Sequence, residues 1–106
     1  MDLKSGEVQK MVDTIVETVQ PLRVLVFGSV ARGTDGEHSD LDLLVIMPTG
    51  THRRKTGQKI DLALFHCGVP NDVLVATEQD VIEHGDNDYL YLKHALREGK
   101  EVYRAA

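Results

Sequence analysis

The chain has 106 residues, 42% of them apolar and 27% charged, and carries a formal net charge of −5. Those values suit one globular domain over residues 1–106, and the acidic balance argues against a general nucleic-acid binder. No apolar run approaches the roughly 18 residues of a membrane span, no signal-peptide core opens the chain, and Cys67 has no partner for an internal disulfide, so a cytoplasmic protein is expected.

Val8, Met11, Val12, Ile15, Val16 and Val19 fall at helical spacing with Glu7, Lys10, Asp13 and Glu17 between them, an amphipathic helix that Pro21 ends. Residues 23–27 form a first strand closed by Gly28. Residues 30–32 can add a helical turn, and a polar loop follows over residues 33–39. Residues 40–47 form a second strand, stopped by Pro48 and Gly50. Ile60, Ala63, Leu64 and Cys67 recur at helical spacing, so the stretch of about 51–67 is expected to be helical. After Gly68-Val69-Pro70, residues 71–77 read as a third strand. Thr77, with Asp80 three residues on, caps a short helix over residues 78–84. Asp88 caps a last helix, residues 89–98, with Gly99 at its end, and residues 101–103 add a final strand. The expected fold is α/β or α+β, a small mixed sheet with helices packed on it.

The chemistry concentrates between the first two strands. Gly28-Ser29 ends the apolar run Val24-Leu25-Val26-Phe27, and after ten intervening residues Asp40-Leu41-Asp42 opens the run Leu43-Leu44-Val45-Ile46. Side chains alternate along a strand, so Asp40 and Asp42 share a face, roughly 7 Å apart at the Cα atoms. Two carboxylates beside a glycine turn suit a magnesium-bound polyphosphate, because Mg²⁺ takes a few carboxylates and completes its shell with phosphate oxygens. Two ions about 3.5–4 Å apart can stabilise the entering and leaving oxygens of an in-line displacement. Gly28 allows close backbone approach to a phosphate, Ser29 offers a hydroxyl and an N–H, and Arg32 can neutralise the β- or γ-phosphate.

A two-metal site needs a third carboxylate, and Asp61 and Asp72 are the candidates. A strand at Asp61 would follow the second strand too closely for a parallel crossover, whereas a strand at Asp72 leaves the 51–67 helix to make it. Asp72 is therefore chosen, although Asn71 stands before it where an apolar strand residue is expected.

Gly28-Ser29, ten residues, then Asp40-x-Asp42 resembles the signature of the DNA-polymerase-β-like nucleotidyltransferase superfamily. Gly28-Ser-Val-Ala-Arg-Gly33, Ser39-Asp-Leu-Asp-Leu-Leu-Val45 and the ending Ala95-Leu-Arg-Glu-Gly99 are similar to its minimal nucleotidyltransferases, the MNT proteins. The resemblance implies Asp40 and Asp42 as metal ligands, Asp72 as third ligand and activator of the nucleophile, and ATP with Mg²⁺. It further implies an antitoxin that transfers AMP to a tyrosine of a HEPN-domain ribonuclease toxin, with which it can assemble. Larger members carry a second domain that binds the acceptor, so here a partner or a shallow surface is expected to present it. Two other readings stand beside this one. The chain could neutralise its partner by occlusion without catalysis, or it could adenylylate a small molecule.

Other features have blander explanations. His52-Arg53-Arg54-Lys55 with Lys59 could guide RNA or an acidic partner, but such a run more often forms the wet face of a helix. His38, His52, His66, His84 and His94 show no zinc-ligand spacing with Cys67. Gly28 to Gly33 lacks the Lys-Ser/Thr of a Walker A loop, and Tyr89, Tyr91 and Tyr103 read as packing residues.

Overall fold

In the computed structural model, which describes residues 6–33, 40–84 and 91–106, α1 (Gly6–Val19) precedes β1 (Arg23–Phe27) and the short α2 (Gly28–Arg32). Then come β2 (Leu41–Met47), α3 (Arg53–Ala63), β3 (Asn71–Thr77), α4 (Glu78–His84), α5 (Tyr91–Glu98) and β4 (Lys100–Arg104). The four strands form one mixed sheet in the order β3-β2-β1-β4, with β1 antiparallel to both neighbours and β2 parallel to β3. The expected α+β architecture is what forms.

The apolar run of β2 has a direct cause. It is a central strand covered on both sides, so Leu43, Leu44, Val45 and Ile46 are all buried and no polar alternation is required. On one face, Val24, Val26, Leu43 and Val45 pack under Val8, Met11, Val12 and Ile15 of α1 and Ile60 of α3. On the other, Leu25, Leu44, Ile46 and Ala76 pack under Leu92 and Ala95 of α5. The alternating pattern of β1, β2 and β3 thus divides the core into two layers.

Several boundaries differ from the sequence reading. The helix expected over about 51–67 ends at Ala63 and gives way to turns, in which Cys67 N–H reaches Leu64 O at 3.0 Å. β2 begins at Leu41, leaving Asp40 just outside it, and α2 begins at Gly28, directly after β1. Asp88 and the start expected for the last helix lie outside the described residues. On β4, Arg104 hydrogen-bonds Glu101, which holds the Glu101 carboxyl below its ordinary range.

The cap of α4 forms as its sequence predicts. Thr77 N–H donates to Asp80 Oδ2 at 2.9 Å, and Asp80 N–H donates to Thr77 Oγ1 at 3.2 Å. Asp80 also meets Arg53 at 3.3 Å, tying the start of α3 to α4. Thr77→Ala is expected to cost about 1 kcal/mol of stability. Thermal melts of the two proteins measure it, and an unchanged midpoint would show the cap to be dispensable.

Candidate active site

The strand directions gather the expected carboxylates at one end of the sheet. β1 ends where β2 begins, with Phe27 opposite Asp42, and β3 begins in parallel beside β2, with Asp72 opposite Asp42. In-register residues on neighbouring strands lie on one face, with the backbones about 4.8 Å apart. That face is the one α5 covers farther along, since Leu44, Leu74 and Ala76 follow at alternate positions and pack in its cluster. Asp42 is half-buried and Asp72 exposed. Asp40 is exposed one residue before β2, where the Leu41 N–H donates to Pro70 O at 2.9 Å and closes the mouth of the β2–β3 pair.

Gly28 is fitted to Asp42. Its φ of +72° is a left-handed conformation that side chains resist, and a Cβ placed there would overlap Asp42 Oδ2 and come within 3.2 Å of Asp42 Cγ. The carboxylate therefore lies against bare backbone at the turn from β1 into α2. Gly33 has a similar φ of +74°, but no atom of the described residues lies within 4 Å of a Cβ placed there.

Asn71, a polar residue at the start of β3, also has a structural task. Its amide donates to Val69 O at 3.0 Å and approaches Cys67 Sγ at 3.6 Å. It thereby locks the turn that delivers Asp72 to its register.

A cleft of about 550 Å³ opens over this end of the sheet, lined by Gly28, Asp42 and Asp72, by Phe27 and Leu74, and by His94 and Glu98 of α5. Asp40 is not among the lining residues, and the side chains of Ser29 and Arg32 lie outside the described residues. Asp61 is exposed on α3, a helix that packs on the opposite face of the sheet, which separates it from this cleft.

The profile of the nucleotidyltransferase domain family matches residues 8–102, nearly the whole chain. The chain belongs to that family. No curated protein matches it in sequence. Its fold is similar to that of a Sulfolobus solfataricus protein assigned to the nucleotidyltransferases, with a TM-score of 0.64 and 17% identity over 92% of this chain and 78% of that one. It is also similar to a toxin–antitoxin structure with AMP-PNP (TM-score 0.60, 19% identity, 95% and 75% covered). A third likeness is to a mutant of the toxin–antitoxin MntA-HpeT (TM-score 0.61, 16% identity, 95% and 75% covered).

Members of this family generally use a nucleoside triphosphate with a divalent metal, and this nucleotidyltransferase domain has a donor set that fits. The cleft brings together carboxylate oxygens, the hard donors that Mg²⁺ prefers, beside a backbone cradle that only glycine leaves open. Among the described residues, no three His, Cys, Asp or Glu side chains are gathered closely enough to hold a metal by themselves. An open set of this kind suits an ion whose remaining ligands come from phosphate.

The basic run lies elsewhere. His52 caps α3, its Nδ1 accepting from the Lys55 N–H at 3.2 Å, and with Arg53 and Arg54 it borders an open depression beside Val73 and Val75. Those two valines belong to the core layer under α1 and α3, the face opposite the carboxylates. Among the described residues no helix is long and apolar enough to cross a membrane.

Sequence reasoning missed His94 and Glu98. In the sequence His94 shows no zinc-ligand spacing, and Glu98 belongs to the helix ending Ala95-Leu-Arg-Glu-Gly99. No local pattern shows which side of α5 borders a cleft, because the border forms only when β4 folds back onto β1.

Proposed function

We propose that the chain is a Mg²⁺-dependent nucleotidyltransferase that moves AMP from ATP to a protein hydroxyl, on a tyrosine of a cognate HEPN ribonuclease toxin. In this reading it is the antitoxin of a cytoplasmic pair. The observation that carries the proposal is the in-register pair Asp42–Asp72, with Asp42 pressed against the bare backbone of Gly28. Family membership and the likeness to toxin–antitoxin structures, one with AMP-PNP, support it.

Asp40, Asp42 and Asp72 would contribute carboxylates to a pair of Mg²⁺ ions whose remaining ligands come from the triphosphate, and the ions would supply charge neutralisation at the entering and leaving oxygens. Gly28 and Ser29 cradle the triphosphate with backbone and hydroxyl donors, and Arg32 pairs with its terminal phosphates. The acceptor oxygen bonds to the α-phosphorus and its proton passes to the Asp72 carboxylate. The bond from the α-phosphorus to the bridging oxygen then breaks, and pyrophosphate leaves with that electron pair. Asp72 suits the proton-accepting role because it is exposed at the rim, where a hydroxyl on another protein can reach it. Positioning and charge stabilisation supply most of the rate.

The test supplies ATP labelled on the α-phosphate, with Mg²⁺, to this protein and the purified product of the neighbouring reading frame. Label is expected on a tyrosine of that product and not with the Asp40→Asn/Asp42→Asn variant. Absence of label despite Mg-ATP binding would overturn protein adenylylation. Protection of cells by that same inactive variant would instead establish occlusion as the means of neutralisation.

A further inference from the structure

The cleft continues past the carboxylates to α5. His94 and Glu98 line that wall four residues apart, which places them on one side of the helix and about 6 Å apart along its axis. Leu92 and Ala95 are buried against the sheet and fix the rotation of α5. Lys100, two residues after Glu98, pairs with Val26, so the helix delivers Glu98 to the end of β1 where Gly28 follows. His94 stands one turn farther back along the sheet. The floor between this wall and the strands is apolar, formed by the half-buried Phe27 and Leu74.

We infer that this wall binds the nucleoside part of the triphosphate, with Glu98 accepting hydrogen bonds from the ribose hydroxyls and His94 packing its imidazole over the base. The inference rests on the nucleotidyl-transfer reading and extends it to residues outside the carboxylate set. The order of groups in a nucleotide matches the order of groups in the cleft. Phosphates belong at Gly28 and the carboxylates, and the ribose adjoins the reacting phosphate as Glu98 adjoins Gly28. The base lies beyond the ribose by about one helical turn, the step that separates Glu98 from His94. The chemistry matches as well. An ionised carboxylate only accepts hydrogen bonds, which complements two neighbouring sugar hydroxyls. A base needs flat, largely apolar surfaces, which Phe27 and Leu74 provide below and an imidazole ring provides above.

Calorimetric titration tests this with three probes in Mg²⁺: ATP, 2′,3′-dideoxy-ATP and inorganic tripolyphosphate. The natural chain is expected to favour ATP over the dideoxy analogue about tenfold, and Glu98→Ala is expected to erase that preference. His94→Ala is expected to weaken both nucleotides about tenfold, with His94→Phe restoring them because a ring is restored. All three variants should bind tripolyphosphate as the natural chain does, since that probe reaches only the phosphate end. Unchanged nucleotide affinities in the variants would overturn the inference while leaving nucleotidyl transfer intact. Equal loss of tripolyphosphate would also overturn it, by showing a general structural role. Failure of the natural chain to bind any Mg-nucleotide would remove the nucleotidyl-transfer reading and this inference together.

Discussion

Asp42→Asn is expected to lower nucleotidyl transfer by roughly 10³-fold or more while leaving the fold in place. The amide is close in size to the carboxylate, so the half-buried site against Gly28 stays filled. What disappears is the negative charge by which the proposed site would hold a divalent cation. Because Asp42 sits between Phe27 on one strand and Asp72 on the other, no other described residue on β2 can replace it in that register. Single-turnover transfer of α-labelled phosphate measures the rate, and a melting midpoint measures the fold. A variant with near-natural transfer would show that Asp42 is not part of the catalytic machinery. The same change at exposed Asp61 is expected to leave transfer untouched, because α3 carries it on the far side of the sheet.

The second large effect is expected at Gly28. Alanine there meets two penalties: a left-handed φ of +72°, and overlap of its Cβ with the Asp42 carboxylate. The first costs about 1–2 kcal/mol. The second displaces the carboxylate from the position the site needs, so transfer should fall together with stability. Gly33 supplies the control, since its φ of +74° carries the same strain with no atom of the described residues within 4 Å of an added Cβ. Gly33→Ala should therefore lose about the same stability from strain alone and retain transfer. Equal retention of transfer in both variants would mean that the contact between Gly28 and Asp42 has no catalytic consequence.

Much of this architecture was legible in local pattern. The helical spacing of Val8, Met11, Val12 and Ile15 marks one buried stripe, and the structure buries those four residues. The Thr77–Asp80 cap was readable because both hydrogen bonds close within four residues. The choice of residues 71–77 over the Asp61 segment as a strand followed from chain length, since parallel strands need a crossover, and α3 supplies it. The end of α3 was less legible. Leu64 and Val69 are buried and Cys67 half-buried, so their apolar spacing continues past Ala63 even though the backbone has left the helix for turns.

Periodicity, caps and breakers act over a few residues, and for that reason the sequence by itself determined the kind and order of the elements. It also carried the Gly28-Ser29 and Asp40-x-Asp42 pattern on which the resemblance to nucleotidyltransferases rests. Only the tertiary structure decided which residues meet across strands. Register places Asp72 beside Asp42, a glycine without a Cβ admits the Asp42 carboxylate, and the return of β4 along β1 turns His94 and Glu98 toward the same cleft. Each of these depends on contacts between segments far apart in the chain, whose geometry is set by packing the two core layers against one sheet.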